Sequence, residues 1–238
     1  MKYVYIFLVV LLAYSVVSVL YFLYKKSHLA ELPTIQQTEQ THGTGPALRY
    51  VAAGDSTAVG QGASEVRTTY PYQVYEFLTR THTVTYKNVA VSGAKTQDVL
   101  DTQLQQILDF KPDVVTLSIG ANDATHLWSR AQTLQNIQTI VEAVRTHTAA
   151  TIYVATIPNF NGGTLLPWYY IALLEYRSTW LNAQLKGLES DRVHVVNVHD
   201  HLMPEHSVRS ETFAADGFHP NDAGYANWAS AFIKTISK

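Results

Sequence analysis

The sequence predicts an α/β domain with a five-stranded parallel sheet, preceded by one apolar N-terminal segment. From residue 48 onward, short apolar runs rich in β-branched residues alternate with helical patterns. Two of these runs, VVTLSI and IYVATI, are apolar almost throughout, which is typical of strands buried on both faces. Because this alternation implies right-handed βαβ units, we expect helices to cover both faces of the sheet.

Each element follows from its local pattern. The predicted strands are residues 48–53, 83–91, 114–119, 151–157 and 193–198. The predicted helices are residues 70–80, 96–108, 130–147, 169–188 and 222–236. In the second helix, apolar residues fall on one face at the helical period: Val99, Leu100, Leu104, Ile107 and Leu108. In an open sheet of this kind, the functional site is expected beyond the carboxyl ends of the strands.

The N-terminal segment has the length and composition of a membrane helix. Residues 3–24 contain no charged side chain, and a membrane helix needs about 20 such residues. Tyrosines lie near both ends of this run, where amphipathic rings favour the headgroup level. A cleaved signal peptide is the alternative, although its apolar stretch is normally about 7–15 residues long. The sequence therefore predicts a membrane anchor in residues 1–24, a polar linker in residues 25–46 and a folded domain in residues 47–238.

Composition removes several classes of site. The chain of 238 residues contains no cysteine, which excludes a disulfide framework, a thiolate zinc site and a cysteine nucleophile. The formal net charge of −2 offers no electrostatic basis for binding nucleic acid.

Four short motifs lie at predicted strand ends or helix starts: GDST at 54–57, SGA at 92–94, GAND at 120–123 and DGFHPN at 216–221. Each alone fits an ordinary turn. Together they supply a hydroxyl on Ser56, a general base in His219 and a carboxylate on Asp216 to orient that base. The Gly93 N–H and the Asn122 side chain add donors for an oxyanion. This combination contains the parts required for acyl transfer.

These motifs resemble the four blocks of the SGNH, or GDSL-type, hydrolase family, in family order over residues 54–221. The resemblance implies a flavodoxin-like three-layer α/β/α fold without a cofactor. It implies Ser56 as nucleophile, His219 as base and Asp216 as the residue orienting it. The Ser56 N–H, the Gly93 N–H and the Asn122 side chain would form the oxyanion hole. Thr57 replaces the leucine of the eponymous GDSL, which argues only against a narrow subfamily.

The resemblance also implies the class of partner. The substrate would be a small-molecule, lipid or glycan ester of the short-chain acyl, acetyl or lysophospholipid type. Because positive charges lie at both ends of the N-terminal segment, the positive-inside rule does not decide its orientation. A domain outside the cytoplasm is therefore a hypothesis motivated by the family. Four aromatic residues flank predicted strand ends and are candidates for a substrate pocket: Trp128, Trp168, Tyr169 and Tyr170. A loop at residues 158–168 is a further candidate, because it could cover the site.

Two other functions remain open at this point. One is a metal-dependent hydrolase using His199 and His201, with His206 nearby, although no glutamate-containing helix motif accompanies them. The other is a membrane-tethered binding module that uses the same fold without catalysis.

Overall fold

A mixed sheet of six strands organises the domain. The computed structural model describes residues 2–27, 32, 35, 37–161, 165–200 and 211–238. The strands are β1 (Gln40–His42), β2 (Ala47–Gly54), β3 (Thr83–Asn88), β4 (Val114–Ser118), β5 (Thr151–Ala155) and β6 (Val193–Val196). They lie in the order β1-β3-β2-β4-β5-β6, and only the β1–β3 pair is antiparallel.

The five predicted strands are confirmed, and their spatial order is the flavodoxin-like one. The prediction of a purely parallel, five-stranded sheet is wrong at one edge. There β1 pairs with β3, placing Thr41 opposite Thr85, and it lies within the stretch predicted as a linker. This strand has only three residues and is largely exposed, so it carries no apolar alternation that could reveal it.

Nine α-helices are present among the described residues. They are α1 (Lys2–Ser27), α2 (Ser56–Val59), α3 (Tyr70–Leu78), α4 (Thr96–Asp98), α5 (Leu104–Phe110), α6 (Ala121–Thr125), α7 (Arg130–His147), α8 (Trp168–Leu185) and α9 (Asp222–Ile236). A π-helical turn, Val99–Gln103, joins α4 to α5, so the predicted helix of residues 96–108 is interrupted. Short 3₁₀ turns occupy Val66–Thr68 and Lys186–Leu188.

Alternation along β2 divides the core into two layers. Tyr50 and Ala52 pack beneath α3 and α9, whereas Val51 and Ala53 face α5 and α7 on the other side of the sheet. A third apolar cluster forms where α6 and α8 meet the loop after β5, around Phe160. The domain therefore has the three layers expected, and the third cluster includes residues that follow the carboxyl ends of β4 and β5, Ala124 and Ile157.

The first helix has no charged side chain between Tyr3 and Tyr24. Its Lys2–Tyr21 stretch has a mean hydropathy of 2.4 and is not buried by the rest of the chain. By length and composition this stretch qualifies as a membrane span, and a signal sequence meets the same test.

Close approach of β2 and β4 shapes the crevice at their carboxyl ends. After β2 the chain forms β3 on one side of it, and then crosses to form β4 on the other side. Open α/β sheets bind ligands at such a switch point. Gly54, the last residue of β2, has a φ of +137°, and a Cβ there would lie 1.9 Å from the Ser118 carbonyl oxygen. The buried Gln103 side chain accepts from the Gly54 N–H at 2.9 Å and donates to its carbonyl at 2.8 Å.

We expect Gly54→Ala to destabilise the domain by about 3 kcal/mol or more, because it combines backbone strain with a collision against β4. Gly187→Ala is the matched control, since nothing lies within 4 Å of a Cβ at that position. Thermal melting of the full chain in mild detergent measures both. Equal melting temperatures for the two variants would contradict the close approach at Gly54.

Candidate active site

Ser56 begins the short helix that follows β2. Asp55 caps this helix by accepting a hydrogen bond from the Thr57 N–H at 2.9 Å. The Ser56 side chain is largely buried, and its residue is 6% exposed. Because the first N–H groups of a helix lack partners within it, the Ser56 N–H is placed to act as a donor to a bound ligand.

His219 connects Ser56 to Asp216. Its Nε2 lies 2.9 Å from Ser56 Oγ, and its Nδ1 lies 2.5 Å from Asp216 Oδ2. With a proton on Nδ1, the imidazole donates to the carboxylate and accepts from the serine hydroxyl. The structure thus brings together three residues that the sequence selected from its first and last motifs.

The turn of residues 216–219 fixes this imidazole. Asp216 Oδ1 accepts hydrogen bonds from the backbone N–H groups of Phe218 at 2.9 Å and His219 at 3.0 Å. The Ala214 N–H donates to the His219 carbonyl at 2.8 Å, closing the loop on itself. Asn221 then caps α9 by accepting from the Gly224 N–H. The Asp-x-x-His spacing therefore serves both the backbone turn and the side-chain contact.

The carboxyl group of Asp216 has a lowered pKa although the residue is largely buried. Burial alone would raise the pKa of its carboxyl group, but the hydrogen bonds from the imidazole and from two backbone N–H groups lower that pKa below its ordinary value. A carboxylate that is charged at neutral pH can hold the imidazole in one tautomer and stabilise an imidazolium.

The two remaining predicted residues lie in different surroundings. Asn122 lines the same cavity as Ser56 and His219, and its Nδ2 donates to the Ala94 carbonyl at 3.0 Å. An amide nitrogen carries two hydrogens, so this bond leaves one donor for a substrate. Gly93 lies on an exposed turn with a φ of +80° and is not among the described residues lining the cavity. Its place in an oxyanion hole stays a prediction.

Thr57 and Gln103 support the nucleophile, and the sequence analysis missed both roles. The Thr57 hydroxyl donates to Asp55 Oδ1 at 2.8 Å and lies 2.9 Å from Ser118 Oγ, which links α2 to the end of β4. Gln103 binds both backbone groups of Gly54, as described above. Thr57 could have been noticed, because it places a hydroxyl where the GDSL motif has leucine. Nothing in the local sequence pattern singles out Gln103.

The cavity beside Ser56 is small and mostly apolar at its walls. It encloses about 30 Å³, bounded by the loop after β5 and by the turn that carries His219. The predicted loop contributes Pro158, Asn159, Phe160 and Leu166, while residues 162–164 lie outside the described residues. Of the aromatic candidates, Trp128 and Trp168 are exposed, whereas Tyr169 and Tyr170 line an adjoining groove.

His199 belongs to a network that supports this loop. Its Nε2 lies 3.1 Å from Glu175 Oε2, and Glu175 Oε1 accepts from the Phe160 N–H at 2.6 Å. The hydrogen bond to Glu175 raises the pKa of His199, which favours its charged form. The described residues contain no group of three or more His, Asp or Glu side chains placed to hold a metal ion. His201 and His206 fall outside the described residues.

Asp55 should make stability depend on pH. Burial raises the pKa of this carboxyl group from 3.8 to about 6, so the native state holds its proton in a range where the unfolded chain has released it. Stability from this group therefore falls as pH rises from about 4 to 6. Asp55→Asn keeps an Oδ1 to accept both Thr57 hydrogen bonds but cannot ionise.

Relative to Asp55→Asn, the wild-type chain should lose about 1 kcal/mol between pH 5 and pH 7, or about 2–4 °C in melting temperature. The exposed Asp101→Asn variant serves as the control and should follow the wild type. A wild-type-to-variant difference that does not change with pH would contradict the raised pKa of Asp55.

Comparison with known proteins identifies the family of this chain. Residues 52–226 match the model of the GDSL-like lipase/acylhydrolase family. A GDSL-like esterase of Mycobacterium tuberculosis is 26% identical over 201 residues, which cover 78% of this chain and 64% of that protein. The chain thus spans about two thirds of that relative's length.

Solved structures share the fold. The lipase Lip_vut3 from a goat rumen metagenome has a TM-score of 0.62 and 23% identity, covering 79% of this chain and 97% of that one. The acetylxylan esterase Axe2 of Geobacillus stearothermophilus has a TM-score of 0.64 and 17% identity, covering 82% and 96%. Since the family model covers most of the chain and includes all four motifs, the chain belongs to the GDSL-like lipase/acylhydrolase family.

Proposed function

We propose that the protein is a serine hydrolase that cleaves carboxylic esters through an acyl-enzyme on Ser56. The observation that carries this proposal is the hydrogen-bonded series from Asp216 through His219 to the Ser56 hydroxyl. A hydroxyl is a weak nucleophile at neutral pH unless a positioned base removes its proton. Membership of a lipase/acylhydrolase family supports the same reaction class.

In the first half of the reaction, Ser56 Oγ attacks the ester carbonyl while its proton moves to His219 Nε2. The tetrahedral intermediate carries its negative charge on the former carbonyl oxygen, where the Ser56 N–H, the Gly93 N–H and the Asn122 amide would donate. The imidazolium formed in this step is stabilised by Asp216, and it then protonates the leaving alcohol.

In the second half, water replaces the alcohol. His219 Nε2 takes a proton from that water, whose oxygen attacks the acyl carbon and releases Ser56 Oγ from the ester bond. The serine regains its proton from the imidazolium, and the carboxylic acid product leaves. The cycle needs no group other than those of the chain and water.

The substrate belongs to the carboxylic esters, with short-chain acyl, acetyl and lysophospholipid esters as candidates. Two similar structures are a lipase and an acetylxylan esterase, so the same fold accommodates different esters in those proteins. We further place the domain at a membrane, tethered by α1 as a single-pass anchor and lying outside the cytoplasm. The length and hydropathy of α1 support the tether.

Ser56→Ala should lower turnover of a short-chain aryl ester by at least about 10,000-fold, because the attacking oxygen is lost. The same variant should no longer react with a fluorophosphonate probe, whereas the exposed Ser237→Ala should behave like the wild type. Hydrolysis that survives in Ser56→Ala would overturn the assignment. A wild-type chain that resists the probe would instead favour a binding module.

Asn122→Ala should reduce kcat about 100- to 1,000-fold with a much smaller change in KM, since an oxyanion donor acts mainly in the transition state. Asn161→Ala, at an exposed position on the loop after β5, is the control and should stay within about threefold of the wild type. A loss below about tenfold for Asn122→Ala would remove this residue from the oxyanion hole.

A further inference from the structure

A second cavity continues from the candidate active site. Asn122, Leu166 and Phe218 line both the small cavity beside Ser56 and this adjoining groove. The groove has a volume of about 600 Å³, and Val19 and Leu23 of the N-terminal helix are among its lining residues. The small cavity beside Ser56 and the groove therefore adjoin, and the groove is lined in part by the helix that is apolar enough to span a membrane.

The chemistry of the groove suits a hydrocarbon. The described lining residues include no Asp, Glu, Lys or Arg, and they include one histidine, His126. Its apolar lining includes Leu165, Pro167 and the rings of Tyr169 and Tyr170. The Tyr170 hydroxyl donates to the Thr125 carbonyl, so this polar group already has a partner and the ring supplies apolar surface.

Contacts with α1 set the depth of the groove in a bilayer. Trp168 Nε1 donates to the Tyr14 hydroxyl at 3.1 Å, while the groove reaches Leu23. Tyr14 and Leu23 are separated by roughly 14 Å along α1, which is about half the thickness of the hydrocarbon core of a membrane. With α1 across the bilayer, the first turn of α8 lies at the level of acyl chains. Trp168 is 69% exposed in the chain, so that turn presents an apolar surface to lipid.

We infer that this groove binds the acyl chain of a membrane-embedded ester, which reaches Ser56 laterally from the bilayer, and that the N-terminal helix is one wall of the substrate site. The inference rests on the proposed function, because the acyl carbonyl must reach a catalytic serine. A freely soluble acetyl ester has no hydrocarbon with which to fill the groove. A long acyl chain fills it and keeps its own contact with lipid.

A bifunctional probe tests the path directly. The full chain in phospholipid nanodiscs is treated with a long-chain alkyl fluorophosphonate that carries a diazirine at the far end of the chain. A bond forms between Ser56 Oγ and phosphorus, the P–F bond breaks, fluoride leaves and His219 takes the serine proton. Illumination should then cross-link the chain end to peptides containing residues 19–23 or 165–170. A short methyl fluorophosphonate run in parallel measures whether Ser56 is reactive at all.

The two failures are distinguishable. If neither probe labels Ser56, the proposed function falls and takes this inference with it. If the short probe labels Ser56 but the long one does not, or if its chain end cross-links only elsewhere on the chain or to lipid, the groove is not an acyl site while the hydrolase remains.

Chain-length selectivity provides a second test. In wild-type nanodiscs, the ratio of kcat/KM for a hexadecanoyl ester to that for a butanoyl ester should exceed one, with up to about fourfold gained per buried methylene. Tyr169→Asp places a charge in the groove and should lower this ratio at least about tenfold. Leu173→Asp, on the same helix but outside the groove, should keep the ratio. Equal ratios in all three chains would overturn the inference.

Discussion

The contact between Ser56 and His219 depends on a clamp between the loop after α2 and the start of α9. The two residues are 163 positions apart in the chain, so their meeting must be enforced by other contacts. Asp222, in the first turn of α9, accepts hydrogen bonds from the Ser64 N–H at 2.7 Å and hydroxyl at 2.6 Å. The Tyr225 hydroxyl donates to the Gln61 carbonyl at 2.7 Å from the next turn. These bonds fix the base relative to the nucleophile, and packing of α9 against α3 holds both elements on the sheet.

Two buried carboxylates beside the serine have pKa values shifted in opposite directions. Asp55 receives hydrogen bonds from Thr57 alone, on one oxygen, so burial dominates and raises its pKa. Asp216 receives bonds on both oxygens, two from backbone N–H groups and one from the imidazole, and these outweigh burial. The difference suits their positions. In the proposed mechanism Asp216 must be charged to orient His219, whereas Asp55 caps a helix through hydrogen bonds that either protonation state can accept.

The strands and site residues that could be predicted from the sequence are those with strong local patterns. Apolar runs identified the five parallel strands, and the motifs identified Ser56, Asp216, His219 and Asn122 as residues at one rim of the sheet. Strand β1 escaped prediction because a three-residue polar strand on an edge has no apolar face to bury. Gln103 escaped because its role is a contact with Gly54 across 49 positions of sequence, which no local spacing encodes. Gly93 is the opposite case, because a motif alone does not establish a role. Its motif is present, but Gly93 lies on an exposed turn and is not among the described residues that line the cavity beside Ser56.

The acyl groove proposed here is formed by segments with weak sequence patterns, for a physical reason. Nucleophile, base and oxyanion donors need fixed angles and distances, so they sit on strand ends and capped turns whose residue types are restricted. A site for an acyl chain needs only apolar surface of adequate length, and many sequences supply that. The loop after β5 and the first turn of α8 meet this requirement with leucine, proline and tyrosine. In the arrangement proposed above, α1 contributes to this groove, so a membrane tether would set both where the reaction takes place and which esters reach the serine.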